Sequence, residues 1–421
     1  MGQIASHPLT DKIIYYEPYE LKNQAVSTRQ LPTQFFNCLG TMQGYRLTQE
    51  DSHLICNGKF SNSANANSVI SKITKSDESN NAQKMNKNND IFHKNEIQVK
   101  FRNPLNNDKY EVMWLSLFGV FDGHGGDKIS KALSYKLNDS IWKTLEHHTY
   151  TKHSFRTVQG LLSQLFKDSF IKLDKEFFKT YKYSTQCGST AVVCIIVNGK
   201  TIYCCNSGDS RALLSLKPTR ASKLHSAHSN STANEKHHHS SVATNLCCVK
   251  NLSFDHKPLH IGELMRINDN GGTVSLGRVN GVLALSRAFG DFQFKRHTYN
   301  HHKHKHGIPQ EEQVTCEPDV LIHDINYEKD EFLVLACDGI WDVYSNKRLT
   351  QFIRYHLCLG LKLDAIVKKV LDHGIECADP ETGCGFDNYS IIIVALNKEN
   401  ESVEEWYERM KMRLLRERRI S

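Results

Sequence analysis

Apolar residues are arranged along the chain in two different patterns. The first is short, nearly uninterrupted apolar runs: AVVCIIV from Ala191, KTIYCC from Lys200, RALLSL from Arg211, DEFLVLACDG from Asp330 and FDNYSIIIVAL from Phe386. Runs of this kind predict buried β-strands. Asn198-Gly199, between the first two runs, favours a two-residue hairpin turn, and RALLSL follows a short loop. The first three runs therefore predict an antiparallel meander.

The second pattern has apolar residues at helical spacing. It occurs in KISKALSYKLNDSIWKTL, VQGLLSQLFKDSFIKLDKEFFKTY, KRLTQFIRYHL and LDAIVKKVLDHGIECA, and IGELMRINDNGG reads as a helix stopped by glycines. Many strands with local hairpin pairing, together with several long helices, predict an α+β fold in which helices cover the sheets.

Polar segments without apolar periodicity interrupt this pattern. They cover residues of about 58–90, 217–244 and 296–313, and they are rich in Asn, Ser, Lys and His. This composition predicts disordered insertions that the core does not need. The histidine runs, such as His237-His238-His239, lie among polar residues, so we interpret them as solvated side chains and not as metal sites.

Composition narrows the class of protein. The chain has 421 residues, of which 39% are hydrophobic and 24% charged, with a net charge of +7. Its apolar runs are shorter than the roughly 18 residues of a membrane span. Thirteen cysteines without a CxxC pair indicate free thiols in a reducing compartment. The basic residues are dispersed, so nucleic-acid binding is not expected.

The sequence MGQIAS at the N-terminus fits the pattern for myristoylation of Gly2. A single acyl chain gives only weak, reversible membrane association. The expected location is therefore cytoplasmic, with nuclear or transient membrane-associated pools also compatible with the sequence.

Acidic residues stand just outside the predicted strands, several of them next to glycine or asparagine. They are Glu50, Asp51, Asp122, Asp209, Asp338, Asp342 and Asp387. Taken alone, the Asp-Gly in FGVFDGHGG is a common turn dipeptide. Repetition of the pattern at several strand ends is hard to explain by turns alone. Carboxylates that converge without Lys or Arg partners repel one another, so we expect cations to hold them together.

The type of ligand indicates which cations these are. Carboxylate oxygens without Cys or His pairs at ligand spacing favour Mg²⁺ or Mn²⁺ over zinc. Two such ions bridged by one aspartate suit in-line phosphoryl displacement by water. Asp122 is the expected bridge, Gly123 can offer its carbonyl, and His124 is placed to act as a general acid. Arg46, four residues before Glu50, carries the planar fork that binds phosphate oxygens.

Several stretches of the sequence, taken in order, resemble the ordered motifs of a known protein family. They are MQGYRLTQEDSH, FGVFDGHGG, CGSTAVV, NSGDSRALL, FDHKP, GGTVSLGRVNGVLALSRAFGDFQFK, EPDV, FLVLACDGIWDV and FDNYSIII. The series resembles the metal-dependent type 2C protein serine/threonine phosphatases, the PPM family. The MGQ start and the segment from HIGELM to FQFK are most similar to the fungal branch.

The resemblance implies a four-layer α/β/β/α sandwich, in which helices flank two antiparallel sheets, with a binuclear Mn²⁺ or Mg²⁺ centre at one end. By the family pattern, Asp122 would bridge both ions. Gly123 through its carbonyl, Asp338 and Asp387 would be further ligands. Glu50 would hold metal-bound water.

The resemblance also implies the reaction. Arg46 would bind the substrate phosphate, and His124 would protonate the leaving serine or threonine oxygen. Water activated at the metal centre would hydrolyse phosphoserine and phosphothreonine without a covalent phosphoenzyme. Some family members bind a third, weaker ion near positions that match Asp209 and Asp342. The expected partners are phosphorylated proteins, and the expected state is a monomer.

The resemblance organises the chain into three parts. Residues 1–37 form an N-terminal extension, 38–397 the phosphatase domain with its insertions, and 398–421 a basic helix. This helix carries Trp406, Met410 and Leu414 at helical spacing. The helix could dock on the domain, or it could contact anionic lipid beside an acylated Gly2; a partly solvated helix is the favoured interpretation.

Three other functions are weighed against the phosphatase. CNSGDSR, from Cys205 to Arg211, fits the CxxGxxR pattern of cysteine-dependent phosphatases, but the segment after it reads as a strand and Asp209 would repel phosphate. A metal-dependent nuclease should show a basic, aromatic groove, which the sequence lacks. A catalytically inactive phosphoprotein-binding scaffold of the same fold should have lost a metal aspartate, and all are present.

Overall fold

The computed structural model describes residues 4–17, 35–57, 91–94, 98–183, 185–218, 248–295 and 312–419. Gly2, the histidine run at 237–239 and nearly all of the predicted insertions lie outside these residues, so the expectations for them stay predictions. Of the third insertion, Glu312 and Gln313 are described: their carbonyls accept hydrogen bonds from Arg266 at 2.7 and 2.9 Å.

The described strands alternate with helices in groups along the chain. The strands are β1 (Ile4–Glu17), β2 (Asn37–Arg46), β3 (Ser52–Cys56), β4 (Ile91–Lys94), β5 (Gln98–Asn103), β6 (Lys109–Phe121), β7 (Gly123–His124), β8 (Gly188–Ser189), β9 (Ala191–Val197), β10 (Thr201–Ser207), β11 (Arg211–Leu216), β12 (Cys248–Asn251), β13 (Val274–Ser275), β14 (Arg278–Val279), β15 (Phe289–Gly290), β16 (Asp319–Asp324), β17 (Asp330–Ala336) and β18 (Tyr389–Ala395). The helices are α1 (Lys128–His147), α2 (Val158–Tyr181), α3 (Ile261–Asp269), α4 (Asp338–Trp341), α5 (Asn346–Cys358), α6 (Leu363–Glu376) and α7 (Val403–Arg419).

Two large sheets form the centre of the fold. The first has the order β1-β2-β18-β17-β11-β12, and the second has the order β16-β10-β9-β6-β3-β4, with β5 also paired to β6. Neighbouring strands are antiparallel except for β3 and β4, which are parallel. Smaller sheets join β13 to β14 and β15 to β8 and β7. The predicted meander of β9, β10 and β11 is divided, because β11 lies in the first sheet and the other two lie in the second.

The turn between β9 and β10 has the predicted geometry. Asn198 and Gly199 both adopt left-handed backbone conformations, with φ of 52° and 63°. The amide of Lys200 donates to the carbonyl of Val197 at 2.9 Å, which closes the two-residue turn. Val197 pairs with Thr201, so Lys200 is an extra residue at the end of the hairpin.

Buried apolar side chains fill the spaces between four layers. Alternate residues of the strands, such as Phe118, Ile392 and Leu333, meet between the two sheets. On the outer face of the second sheet, α1 and α2 contribute residues such as Leu137 and Phe166. On the outer face of the first sheet, α5, α6 and α7 pack over β2, β17 and β18. The predicted α+β sandwich is thereby confirmed.

Both ends of the described chain belong to this sandwich. Residues 4–17, from the predicted extension, form the edge strand β1, which pairs with β2. Trp406, Met410 and Leu414 of α7 are buried in the core over the first sheet, so the helix docks on the domain. The hydroxyl groups of Tyr16 and Tyr407 are 2.8 Å apart and join β1 to α7. No helix in the described part of the chain is both long and apolar enough to cross a membrane.

We expect Trp406→Ala to destabilise the protein by about 3–5 kcal/mol, because it removes a fully buried indole from the docked face of α7. Met412→Ala is the matched control on the same helix: Met412 is 41% exposed, and its loss should change stability by no more than about 0.5 kcal/mol. Urea unfolding measures both values. Equal stability of the two variants would contradict the docked position of the helix.

Candidate metal centre

The ends of four strands bring the predicted acids together at one end of the sandwich. Asp122 directly follows β6, and Asp338 begins α4 just after β17. Asp387 lies just before β18, the neighbour of β17 in the sheet. Asp209 lies in the loop between β10 and β11. Charge interactions connect Asp122 with Asp338, Asp387 and Asp209, so these side chains share one site.

Burial and mutual repulsion strongly disfavour ionisation in this cluster. Burial, with the charges of Asp338 and Asp51 next in importance, raises the pKa of Asp122 well above its ordinary value. Burial also raises the pKa of Asp338, together with Asp209, Asp387 and other acids. Within the described residues, neither carboxylate has a salt bridge. The nearby charge of Lys257 offsets this repulsion only in part, because the pKa of Asp338 is still raised.

Arg46 lies at the end of β2 beside Asp387. Its Nη2 atom is 2.5 Å from Asp387 Oδ2, and its Nε atom donates to the carbonyl of Phe386 at 3.2 Å. Burial nevertheless raises the pKa of Asp387, although Arg46 opposes this effect. About a third of the Arg46 side chain is exposed. Its guanidinium can therefore contact a ligand from the solvent while it stays beside the acids.

Glu50 and Gly123 are held close to each other. A Cβ atom at Gly123 would lie 2.3 Å from the carbonyl oxygen of Glu50, so this position has no room for a side chain. The Glu50 carboxylate accepts hydrogen bonds from the Gly126 amide at 3.1 Å and from the Thr48 hydroxyl at 3.0 Å. Its charge also acts on His124, which places Glu50 on the histidine side of the cluster.

Asp51 lies in the same cluster, although the sequence analysis assigned it no role. Potential ligand atoms of Asp51, Asp122 and Cys337 all lie within 4.8 Å of one another. The hydroxyl of Ser390 donates to Asp51 at 2.6 Å and is also 2.8 Å from His53 Nε2. Burial raises the pKa of Asp51 to about 7. Its position next to Glu50, in the motif QEDSH, was the available signal.

The donor atoms of this cluster fit a hard divalent cation. Most are carboxylate oxygens, which Mg²⁺ and Mn²⁺ prefer. Cys337 is the exception, but burial and the neighbouring acids raise the pKa of its thiol. Its sulfur also accepts a hydrogen bond from the Ser390 amide at 3.1 Å. A protonated, hydrogen-bonded thiol is a poor metal ligand, because thiol ligands bind as thiolates. The carboxylates are therefore the residues that can hold ions.

Lys257 contributes a positive charge that the sequence analysis did not assign. Its ammonium group forms a salt bridge with Asp209. Burial acts to lower the pKa of Lys257, but the charge of Asp209 outweighs this effect and raises the pKa. Asp342, the second residue proposed for a third ion, lies near both, and burial raises its pKa. Asp209 thus already has a cationic partner within the chain, in contrast to Asp122.

His124 is oriented by a carboxylate from a distant segment. Its Nε2 atom is 2.7 Å from Asp291 Oδ2, and the Asp291 side chain is almost fully buried. Burial would lower the pKa of His124, but the charge and hydrogen bond of Asp291 raise it above its ordinary value. Within the described residues, Nδ1 of His124 makes no hydrogen bond. The pair therefore leaves one ring nitrogen available at the site.

Gly188 lies where this pair meets. It pairs with His124 between β7 and β8, and a Cβ atom there would lie 2.1 Å from Asp291 Oδ2 and 2.3 Å from His124 Nε2. Any side chain at residue 188 would therefore separate the imidazole from the carboxylate. Asp291 and Gly188 were not among the predicted site residues, although each lies in one of the motifs that resemble the family, GGTVSLGRVNGVLALSRAFGDFQFK and CGSTAVV.

The loop CNSGDSR does not have the structure of a cysteine-dependent phosphatase loop, as the sequence predicted. Cys205 lies in β10 and is fully buried, and burial raises the pKa of its thiol. The segment after the loop is the strand β11 and not a helix, so no helix N-terminus faces the sulfur. A neutral thiol within the core cannot attack phosphorus.

We expect Cys205→Ala to leave any hydrolysis of phosphoesters at the acid cluster unchanged, because Cys205 only packs in the core. Loss of one buried heavy atom should cost about 1 kcal/mol of stability. Cys194→Ala, in the adjacent strand β9, is a matched control, since Cys194 is equally buried. Steady-state kinetics of both variants test this. A selective loss of about 10⁶-fold in Cys205→Ala would instead indicate a nucleophile.

Comparison with known proteins gives the family. A family model described as Protein phosphatase 2C matches residues 81–238 and 239–381. The chain is 47% identical over 458 residues to Protein phosphatase 2C homolog 4 of Saccharomyces cerevisiae, with 99% of both chains covered. It is 36% identical over 294 residues to Protein phosphatase 2C homolog 2 of Schizosaccharomyces pombe, with 69% of this chain and 66% of the relative covered.

Solved structures show the same fold. A phosphatase from a pathogenic strain of Toxoplasma gondii aligns with a TM-score of 0.55 and 20% identity over 91% of this chain and 95% of that one. Serine-threonine phosphatase 2C from Toxoplasma gondii aligns with a TM-score of 0.52 and 18% identity over 91% of this chain and 99% of that one.

The sandwich and the acids at its end form a candidate site for divalent metal ions. The match of the family model to more than half of the chain, with the full-length similarity to the S. cerevisiae relative, shows more: the chain belongs to the protein phosphatase 2C family. The resemblance to the fungal branch is confirmed, and the protein is an enzyme of the protein phosphatase class.

Proposed function

We propose that the protein hydrolyses phosphoserine and phosphothreonine in other proteins, with Mn²⁺ or Mg²⁺ held by Asp122, Asp338 and Asp387. The observation that carries the proposal is the buried, repelling acid cluster between Arg46 and His124. Divalent cations bound there would supply the missing positive charge and activate water for attack on phosphorus.

Arg46 is placed to bind the phosphate of the substrate. Its guanidinium is anchored by Asp387 and by the Phe386 carbonyl, and it stays partly exposed. Five N–H donors allow the side chain to keep these contacts and still donate to phosphate oxygens. Anchoring reduces the conformational freedom that the side chain loses when substrate binds.

His124 is placed to donate the proton that the leaving alcohol needs. Asp291 accepts the hydrogen bond from Nε2 and stabilises the protonated ring, so Nδ1 is the ring nitrogen left to donate the proton. Serine and threonine alkoxides are poor leaving groups, and protonation by a positioned acid accelerates such steps by about 10²–10⁴-fold. The two side chains thus divide the work: Arg46 binds the phosphate, and His124 releases the alcohol.

Hydrolysis of a phosphothreonine peptide tests the proposed function directly. Phosphate release should require Mn²⁺ or Mg²⁺, stop in EDTA and return when the metal is restored. Turnover that persists in EDTA would contradict the metal-dependent reaction. Peptide binding without turnover in the presence of metal would instead support the inactive scaffold.

We expect Arg46→Met to lower kcat/KM for the peptide by about 10–100-fold, the value of lost hydrogen bonds to a charged group. The same change removes a positive charge beside Asp387. The Mn²⁺ concentration needed for half-maximal activity should therefore not increase. Kinetics at varied Mn²⁺ separate the two effects, and a higher Mn²⁺ requirement would show that Arg46 supports the metal centre instead of the substrate.

A further inference from the structure

A buried ion pair lies behind the turn that carries Asp291. Lys295 Nζ is 2.7 Å from Asp174 Oδ2, and the two side chains are 1% and 0% exposed. Asp174 belongs to the inner face of α2, among side chains such as Phe170 and Phe177. A buried ion pair adds little net stability, because desolvation of both charges offsets their attraction. The ion pair is therefore better explained by the residues that it holds in place than by a contribution to stability.

The pair fastens both ends of one short segment, residues 288–295. Asp174 accepts a hydrogen bond from the Gly290 amide at 2.9 Å through its other carboxylate oxygen. Lys295 Nζ also donates to the carbonyl of Ala288 at 2.8 Å. The Gly290 amide, the Ala288 carbonyl and Lys295 all belong to the segment that contains Asp291, and Asp174 binds directly to that segment. A single carboxylate on α2 thereby ties the segment to the rigid helical layer.

The fastened turn has a strained backbone. Gly290 and Asp291 both have positive φ, 73° and 48°. A left-handed conformation costs roughly 1–2 kcal/mol for a residue other than glycine. Such a conformation persists only where its surroundings determine it. Asp291 is also held by its amide, which donates to the Cys187 carbonyl at 3.1 Å. Without the ion pair, relaxation of the turn would move the Asp291 carboxylate away from His124.

We propose that Asp174 and Lys295 are positioning residues for the reaction: they hold the turn that aims Asp291 at His124. This inference rests on the proposed function, because it requires His124 to act as the acid. It predicts a specific defect. Misplacement of a general acid by about 1 Å is enough to slow proton transfer strongly, while metal and phosphate binding stay intact.

Two substrates separate this role from general structural support. p-Nitrophenyl phosphate has a weakly basic leaving group that needs little protonation, whereas a phosphothreonine peptide needs a proton on its leaving oxygen. Asp174→Asn should lower kcat for the peptide by about 10-fold or more, with little change for p-nitrophenyl phosphate or in KM. Asp174→Leu/Lys295→Met should give the same selective loss, because it removes both charges and keeps the site apolar.

Asp291→Asn is the reference variant, because it alters the carboxylate that contacts His124. It should show the same selectivity more strongly. Adding Asp174→Asn to it should cause no further loss on the peptide, since both changes act through one contact. Thermal unfolding with and without Mn²⁺ identifies folded, metal-binding variants, and Asp174→Leu/Lys295→Met carries the test should Asp174→Asn fail to fold.

The outcomes are distinguishable. Selective loss in the Asp174 variants, without addition to Asp291→Asn, supports the proposal. If Asp291→Asn slows only the peptide reaction, but the folded Asp174 variants slow neither reaction or slow both substrates equally, the positioning role is overturned. The proposed function stands in that case. If Asp291→Asn itself is not selective, the acid role of His124 fails, and the positioning role fails with it.

Discussion

Asp338→Asn should abolish phosphatase activity and, in the absence of metal, raise the thermal stability of the protein. Asp338 is buried among other acids, and both burial and repulsion raise its pKa. A carboxyl group whose folded pKa lies above its unfolded pKa destabilises the fold at neutral pH, because the ionised form is favoured on unfolding. Asn keeps the shape of the side chain and removes that charge.

Activity should respond in the opposite direction. The same carboxylate is a proposed metal ligand, and metal ions contribute several kcal/mol of transition-state stabilisation, or at least about 10³-fold in rate. Mn²⁺ should raise the melting temperature of the parent protein through mass action, and this increase should shrink in the variant.

The control for this experiment is Asp269→Asn, which alters an exposed acid on α3. It should change neither activity nor the Mn²⁺-induced increase in melting temperature. Differential scanning fluorimetry in EDTA and in Mn²⁺, combined with phosphopeptide kinetics, measures both properties. A large loss of stability of Asp338→Asn in EDTA would show that Asp338 supports the fold without metal and would contradict the repelling cluster.

Gly188→Ala should lower kcat for a phosphothreonine peptide by about 10²-fold or more. The added methyl group would lie 2.1 Å from Asp291 Oδ2 and 2.3 Å from His124 Nε2, so the two side chains must separate. The backbone itself should accept alanine, because Gly188 does not have a left-handed φ. The loss should be much smaller for p-nitrophenyl phosphate, whose leaving group does not depend on the acid.

Gly262→Ala is the matched control, because a Cβ atom at Gly262 meets no atom within 4 Å. It should retain full activity on both substrates. The melting temperature in Mn²⁺ identifies whether either variant is damaged globally. Equal activity of Gly188→Ala and the parent on the peptide would show that the contact between His124 and Asp291 is not needed for turnover.

The parts of the site that sequence predicted are those that local patterns define. An acidic residue beside glycine or asparagine at the end of an apolar run can be recognised from a few neighbours, and Asp122, Asp209, Asp338 and Asp387 do share one site in the structure. Strand and helix positions were likewise readable, because burial imposes its own period on the sequence. The resemblance to a family then supplied roles that spacing alone does not assign.

The parts that were missed depend on contacts between distant segments. Asp291 contacts His124 although 167 residues separate them in the sequence. The orientation of the Asp291 side chain follows from a left-handed turn, which no local sequence pattern predicts. Gly188 matters because two other segments meet beside it. The strand β1 was missed for a related reason: Pro8 and several polar residues weaken its alternation, and it is completed by pairing with β2.

The contact between Tyr16 and Tyr407 joins the first described strand to the last described helix. The Tyr407 hydroxyl also accepts a hydrogen bond from the Leu363 amide, so α6 takes part in the same junction. Local opening of α7 would therefore remove one attachment of β1, which otherwise depends on its pairing with β2. An edge strand that is loosened in this way is a template for intermolecular pairing, so we expect loss of the Tyr16–Tyr407 contact to favour aggregation.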